Sequence, residues 1–219
     1  KEIDFDGDIV KFAFVTDTHF GAACFDENCW DAFLEECKKE NVSFITHAGD
    51  VCEGTAFHRL DTVLDMTVIG YANQKRYARE LLSKTDIPTY IISGNHDRFY
   101  KTTRIVEDIC ETLPHCHYVG EDRGIVEVST SQGPLKIMLW HGEDGSSGLS
   151  YSLRAQKVLD SLIAQNYKID YIHGADTVKS LAEKHNGLSF VLPDMDNITY
   201  LGLRNTNISD FNGTYSETD

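Results

Sequence analysis

The stretch FVTDTHFG, residues 14–21, decides how the rest of the chain is interpreted. It closes an apolar run over residues 9–15 that is typical of a buried strand. The run ends at Asp17 and His19, whose side chains can converge where a strand gives way to a loop. A carboxylate and an imidazole together suit a divalent metal ion such as Mn, Fe or Zn. An Asp-x-His pair alone is weak evidence for a metal site, so the interpretation depends on the residues at the ends of the other strands.

Two further apolar runs end in polar clusters of the same kind. Residues 42–47 lead into Gly49 and Asp50. Residues 87–93 lead into GNHD, residues 94–97. Three strands that each end in carboxylate, amide or imidazole groups are much stronger evidence for a shared site than one.

Helical patterns separate these strands. A helix is predicted over residues 29–40, and a long one over residues 60–84 with Leu64 on its buried side. The alternation of strands and helices predicts parallel strands joined by right-handed crossovers. In such sheets ligands bind beyond the carboxyl ends of the strands, so we expect the polar clusters to meet at one edge. The first helix has a buried face made by Trp30, Phe33, Leu34 and Cys37.

The pattern changes after a predicted helix over residues 103–112. Residues 125–129 and 135–140 predict a hairpin that belongs to a second sheet. His141 and Gly142 follow the hairpin and form a fourth polar cluster at a strand end. A further helix is predicted over residues 150–166, and short strands over residues 169–174, 188–192 and 198–203.

Length and charge limit the classes of protein to which the chain can belong. Its 219 residues suit a single α/β domain over residues 1–204, followed by a polar tail over residues 205–219. The formal net charge of −15 opposes contact with nucleic acid and anionic membranes, unless bound cations invert the local field. No secretory signal and no apolar run of roughly 18 residues is visible. We expect the six cysteines to be reduced thiols and the protein to be located in the cytoplasm.

The four clusters, in this order along the chain, resemble the motifs of the calcineurin-like metallophosphoesterase superfamily. Within the superfamily, the sequence of residues 16–21 and the strand leading into residues 94–97 most resemble the DNA-repair exonuclease-like branch. The resemblance implies an α/β fold, a four-layer α/β/β/α sandwich of two mixed sheets flanked by helices. It also implies a hydrolase with a binuclear metal centre, in which Mn is the first choice of ion and Fe, Zn, Ni or Mg are alternatives.

The resemblance assigns roles to the residues that match the motifs. Asp17 and His19 would hold one metal, Asp50 would bridge both metals, and Asn95 and His141 would hold the second. Two divalent ions so placed can acidify a water that attacks a phosphodiester and can stabilise an in-line displacement. A bridging ligand needs two oxygens, which a carboxylate has.

Two further residues would act without binding metal. His96 would donate a proton to the leaving group or bind the phosphate, and Asp97 would orient His96. His47 ends its strand beside Asp50, but the alternation of side chains along a strand favours a structural role in the core.

The last motif of the family is the point at which this sequence departs from it. Members usually carry Gly-His-x-His at the end of a late strand, whereas Ala175 and Thr177 stand here where the histidines belong. A shifted register would let His173 bind metal, and Asp176 is a less favoured substitute.

Three functions are compatible with these observations. The first is a phosphodiesterase, with DNA or RNA as one class of substrate, and the second is a small-molecule phosphodiesterase or a phosphomonoesterase such as a protein phosphatase. The third is a binding or scaffold module that keeps the fold with weakened catalysis. No membrane partner is expected, whereas a protein partner or a homodimer is compatible with each function.

Overall fold

The computed structural model describes residues 1–4, 10–55, 60–100, 104–130, 133–142, 160–162, 164–165, 171–173, 189–191 and 200–205. Their strands are β1 Glu2–Asp4, β2 Lys11–Val15, β3 Phe44–His47, β4 Thr89–Ser93, β5 Cys116–Glu121, β6 Arg123–Thr130, β7 Gly133–Trp140, β8 Tyr171–His173, β9 Ser189–Val191 and β10 Tyr200–Asn205. The helices are α1 Glu27–Lys39, α2 Tyr71–Leu82 and α3 Ile105–Cys110, with 3₁₀ helices over Leu60–Asp65 and Asp97–Phe99.

The larger sheet has six strands in the order β5-β4-β3-β2-β10-β9. Strands β2, β3 and β4 run parallel, as predicted; β5 pairs with β4 in parallel as well, and β10 pairs with β2 in the antiparallel sense. Val15 stands opposite His47, and His47 stands opposite Ile91. The loops after β2, β3 and β4 therefore leave the sheet at the same edge.

The smaller sheet has four strands in the order β1-β6-β7-β8. The antiparallel hairpin of β6 and β7 confirms the prediction of a second sheet. Two strands were not predicted. The short edge strand β1 lies in a polar stretch before the first predicted strand, and β5 (CHYVGE) has mixed polarity with no strand pattern.

The alternation of side chains along β2 shows how the larger sheet is covered. Phe12 and Phe14 face a cluster shared with the four-stranded sheet, which includes Val126 and Ile137. The alternate side chains, Ala13 and Val15, point to the other face of the sheet and join a second cluster with Ile45 and Ile91. The helices cover this cluster, and α1 contributes its predicted apolar side chains Trp30, Phe33, Leu34 and Cys37. The sheet is therefore buried on both faces around β2, β3 and β4, which explains why the sequence around these parallel strands is largely apolar.

The single helix predicted over residues 60–84 is wrong. A 3₁₀ helix ends at Asp65, and α2 begins only after Gly70, whose φ of 88° breaks the helix. Between them, the backbone N–H groups of Thr67 and Val68 donate to the carbonyl of Gly21. These tertiary hydrogen bonds tie the segment to the loop that carries His19.

Parts of the predicted architecture lie outside the described residues. The described sheets and helices form a mixed α/β fold, as the resemblance implies. The fourth, outer helical layer stays a prediction, because most of residues 150–166 are not among those described. So does the domain boundary at residue 204, one residue before β10 ends. None of the described helices is long and apolar enough to cross a bilayer.

Candidate active site

The loops after β2 and β3 are joined directly through their backbones. The N–H of Asp17 donates to Gly49 O over 3.0 Å, and the N–H of His19 donates to Asp50 O over 2.9 Å. All three non-glycine residues Asp17, His19 and Asp50 lie in the left-handed region, with φ of 54°, 45° and 50°. Such conformations cost about 1–3 kcal/mol each and cluster at functional sites. The strain indicates that these loops are shaped to aim side chains.

Two glycines allow the loops to approach one another. A Cβ atom on Gly94 would lie 2.2 Å from Asp50 Oδ1 and 2.6 Å from His141 Cε1. A Cβ atom on Gly49 would lie 2.7 Å from His141 Nδ1. Because they lack a Cβ atom, Gly49 and Gly94 leave room for the side chains of Asp50 and His141.

His19 faces two carboxylates without bonding to either. Its Nε2 atom is 3.8 Å from Asp17 Oδ1 and 3.8 Å from Asp50 Oδ2. The side chain is 1 % exposed, and among the described residues neither ring nitrogen has a hydrogen-bond partner of good geometry. Buried imidazole nitrogens are normally paired, so this arrangement fits a cation between Nε2 and the two oxygens.

His141 approaches Asp50 from the other side. Its Nδ1–H donates to Ala48 O over 2.9 Å. The other ring nitrogen, Nε2, lies 2.8 Å from Asn95 Oδ1 and 3.2 Å from Asp50 Oδ2. In a neutral imidazole protonated at Nδ1, the Nε2 lone pair would face two oxygen acceptors. Either a proton or a cation must therefore lie between these atoms.

Asp50 is the residue that both histidines share. Its Oδ1 atom accepts the backbone N–H of His96 over 2.8 Å, and its Oδ2 atom faces His19 and His141. In the part of the chain that the structure describes, two groups of side chains offer ligand atoms that lie within 4.8 Å of one another. They are Asp17 with Asp50 and His141, and His19 with Asp50 and His96.

Glu53 is a site residue that the sequence pattern did not single out. Its Oε2 atom lies 2.8 Å from His19 Nδ1, off the line of the N–H, and its Oε1 atom lies 3.5 Å from His96 Nδ1. Its backbone oxygen is 2.8 Å from the same His96 nitrogen. Burial raises the pKa of Glu53, but the two histidines outweigh burial and lower it to about 2. Its position three residues after Asp50, in the same loop, is the signal that could have found it.

The hydrogen bonds of Asp97 among the described residues are with backbone N–H groups and not with the ring of His96, so its role in orienting His96 stays a prediction. Both oxygens of this buried carboxylate accept backbone N–H groups, from Val51 at 3.1 Å, Cys52 at 2.8 Å and Gly94 at 2.9 Å. Burial and the nearby charge of Asp50 raise the pKa of Asp97 to about 6 against these three hydrogen bonds. Asp97 therefore ties the loop after β4 to the loop after β3.

The ring of His96 is held by other groups. It meets His19 edge to face at 4.6 Å between ring centroids and Phe99 at 4.7 Å. His47, by contrast, is fully buried, with Nε2 at 2.9 Å from Thr18 Oγ1 and Nδ1 accepting the N–H of Gly49. The structural role predicted for His47 agrees with these contacts.

Comparison with known sequences identifies the family. The sequence model of the calcineurin-like phosphoesterase family matches residues 10–192. The chain belongs to this family. Membership indicates metal-dependent phosphoester hydrolysis and binding of divalent metal ions, for which the two histidine–aspartate groups are candidates.

Other comparisons add little about this phosphoesterase. A crystal structure of TT1561 from Thermus thermophilus is similar over 85% of this chain and 86% of its own, with 13% sequence identity and a TM-score of 0.45. No protein of curated function matches the sequence.

The electrostatics of the phosphoesterase site favour positive charge at its centre. Burial lowers the pKa of His19, but the carboxylates of Asp17, Glu53 and Asp50 outweigh it and raise the pKa to about 10. Burial likewise lowers the pKa of His141, and Asp50 raises it to about 9. In the metal-free protein, protons on histidine thus neutralise the carboxylates, and a divalent cation would compete with these protons.

His173 remains the least defined of the predicted residues. It is the last residue of β8 and stands opposite Leu139 of β7, two residues before His141. Its side chain and residues 174–177, which include Asp176, lie outside the part of the chain that the structure describes.

Proposed function

We propose that this phosphoesterase is a phosphodiesterase that holds two divalent cations, with Mn²⁺ as the first choice, on either side of Asp50. The observation that carries the proposal is the position of Asp50 Oδ2, at 3.8 Å from His19 Nε2 and 3.2 Å from His141 Nε2. One carboxylate thus faces two buried imidazoles that come from different sheets. A shared carboxylate of this kind suits a two-metal site.

The ligands are assigned to the two cations as the family motifs imply, and Asp17 also lies within reach of His141. Asp17 and His19 would complete the first site, and Asn95 and His141 the second. The cations would supply Lewis acidity toward phosphate oxygens and an acidified water. Asn95 is a neutral ligand, so it limits the negative charge that an anionic substrate meets.

His96 is proposed as the proton donor to the leaving group. Its Nδ1 atom is engaged by the carbonyl of Glu53, so Nε2 is the nitrogen left for a substrate. Burial lowers the pKa of His96, but the Glu53 side chain and the charge of Asp50 outweigh burial and raise it, which favours the protonated ring that a proton donor needs. The proximity of His96 to His19 and Asp50 gives it a second role to be tested, as a metal ligand.

Small phosphodiesters are favoured over nucleic acid as substrates. A formal net charge of −15 repels the phosphate backbone, and nucleic-acid binding depends on neutralising phosphates with Lys and Arg. The exonuclease-like activity stays a narrower alternative, to be decided by including single-stranded DNA among the substrates.

The test combines metal loading with a substrate panel. The metal-free protein is loaded with Mn²⁺, and bis-p-nitrophenyl phosphate, p-nitrophenyl phosphate and single-stranded DNA are compared. We expect two ions per chain and preferred turnover of the diester. His96→Ala should lower kcat about 100- to 10,000-fold while two ions stay bound. Loss of an ion in that variant would instead make His96 a ligand, and unchanged turnover would remove it from the mechanism.

The departure at the last motif favours one other function, a binding module with weakened catalysis. Ala175 and Thr177 replace two imidazoles that other members place on the metals. Such a module would hold one ion or none at micromolar Mn²⁺ and would show no diester turnover. His173→Ala addresses the same point, because it should weaken metal binding only if His173 substitutes for a missing ligand.

A further inference from the structure

Asp122 is the single residue between β5 of the six-stranded sheet and β6 of the four-stranded sheet. Its backbone lies in the left-handed region, with φ of 59°. Its N–H donates to Ser93 O over 3.0 Å, and its carbonyl accepts the N–H of His141 over 2.8 Å. Ser93 precedes Asn95 by two residues. The backbone of Asp122 therefore connects the two segments that carry Asn95 and His141.

The side chain of Asp122 makes a third connection to the same region. Its Oδ2 atom accepts a hydrogen bond from the Arg98 guanidinium over 2.6 Å. Arg98 lies in the 3₁₀ helix that begins directly after His96. The other oxygen, Oδ1, is buried with no hydrogen-bond partner among the described residues. A non-glycine residue at positive φ with an unpaired buried oxygen is costly, and such costs are usually retained for a functional reason.

We propose that the Arg98–Asp122 ion pair is a clasp that sets the distance between Asn95 and His141. These two side chains come from different sheets, yet their Oδ1 and Nε2 atoms are 2.8 Å apart. The clasp holds the chain on both sides of Asn95, through Ser93 before it and Arg98 after it, against the point where the chain crosses between sheets. Arg98 and Asp122 are positioning residues, which act on the second metal through Asn95 and His141. The inference rests on the two-metal site proposed above.

The clasp should affect one metal site and not the other. Asp17 and His19 are held by backbone hydrogen bonds between the loops after β2 and β3, which do not involve Asp122. Residues that orient metal ligands from behind typically change metal affinity about 10- to 100-fold when they are replaced. A selective loss of this size is the signature of positioning, whereas general destabilisation would weaken both sites together.

The experiment uses Asp122→Gly, which removes the carboxylate but keeps the backbone hydrogen bonds and the positive φ accessible. Metal-free protein is titrated with Mn²⁺, and free Mn²⁺ is followed by electron paramagnetic resonance. We expect one ion to bind with wild-type affinity and the other to bind about 10- to 100-fold more weakly. The weakened site should be the one that His141→Ala removes. Arg98→Ala should give the same result, and the double variant should add little to it.

Controls separate the clasp from the folding of the chain and from the proposed function. Arg104→Ala breaks the surface pair between Arg104, which directly precedes α3, and Glu107 of α3, and it should leave both affinities unchanged. Wild-type affinity at both sites of Asp122→Gly would overturn the clasp. So would equal weakening of both sites together with a lower unfolding temperature of the metal-free protein. A wild-type chain that binds fewer than two ions would overturn the proposed function itself, and this inference with it.

Discussion

The two halves of the candidate site, one around His19 and one around His141, are built in different ways. The His19 half comes from β2 and β3, neighbouring strands of one sheet whose loops hydrogen-bond to each other. The His141 half joins the loop after β4 to the end of β7, which lies in the other sheet. In the first half His19 Nε2 and Asp17 Oδ1 are 3.8 Å apart, and in the second half His141 Nε2 and Asn95 Oδ1 are 2.8 Å apart.

This difference shows what sets the geometry in each half. The His19 half is shaped by local backbone conformation, because Asp17, His19 and Asp50 all adopt positive φ. The His141 half depends on how two sheets pack, because Asn95 and His141 come from different sheets and meet through a tertiary contact. Changes to the loops after β2 and β3 should therefore affect the first metal, and changes between the sheets should affect the second.

Asp50→Asn should have the largest effect, because Asp50 belongs to both halves. The amide keeps the shape of the side chain but loses the charge that both imidazoles face. We expect both ions to be lost at micromolar Mn²⁺ and diester turnover to fall about 1000-fold or more, since the metals contribute several kcal/mol to the transition state. Metal analysis by mass spectrometry and initial rates measure this. The exposed Asp86→Asn, before β4, is the control. If one ion still bound with full affinity, Asp50 would contribute to only one half of the site.

Gly94→Ala should come next, because the new Cβ would press on both halves at once. It would lie 2.2 Å from Asp50 Oδ1 and 2.6 Å from His141 Cε1. A displacement of about 1 Å at a reacting centre can cost about 100-fold in rate, and overpacking costs about 1–3 kcal/mol of stability. Turnover and thermal unfolding of Gly94→Ala are compared with those of Ser93→Ala next to it. If the two variants match, the close approach at Gly94 is not what shapes the site.

Glu53→Gln should act on the His19 half alone. The carboxylate lies 2.8 Å from His19 Nδ1 and 3.5 Å from His96 Nδ1, and among the described residues no hydrogen bond or ion pair joins it to His141. We expect the affinity of one ion to fall about 10- to 100-fold, with the other unchanged, because a neutral amide orients imidazole less firmly. Calorimetric titration with Mn²⁺ measures both affinities, and Glu35→Gln on the exposed face of α1 is the control. Weakening of the His141 site as well would show that the halves are not independent.

The same difference explains how much the sequence could predict. The four clusters at strand ends led to Asp17, His19, Asp50, Asn95 and His141, and the structure brings these side chains together. This worked because parallel strands deliver the loops at their carboxyl ends to one edge of the sheet. Glu53 was missed because its partner is the side chain of His19, which comes from another loop. The contacts of Asp97 were missed because they are made with three backbone amides. The only sequence signal of either is the position of Glu53 three residues after Asp50.

The errors in the fold have a similar cause. The long helix predicted over residues 60–84 follows apolar spacing, but hydrogen bonds from Thr67 and Val68 to Gly21 override that spacing. Leu64, predicted to be buried, is 85% exposed as a result. Strand β5 pairs with β4 although its sequence has no alternation. In each case a partner distant in sequence decides the conformation, as it does in the His141 half.

The smallest expected effect, and the sharpest test of the comparison, comes from single methyl groups in the two hydrophobic clusters. Ile137 is fully buried between the sheets, and Ile109 is fully buried between α3 and the larger sheet. Ile137→Val and Ile109→Val should each cost about 0.5–1.5 kcal/mol of stability, because each leaves a cavity of the same size.

Only the first substitution changes the contact between the sheets, so only Ile137→Val should weaken the ion held by Asn95 and His141, by about 0.6 kcal/mol or roughly threefold. Chemical unfolding measures the stability of both variants, and Mn²⁺ titration measures the affinities. Because the two variants are matched in chemistry and burial, any difference in affinity between them reports the packing of the sheets and not the loss of stability. Equal affinities would mean that the loops hold the second metal by themselves, and the two halves would then be built alike.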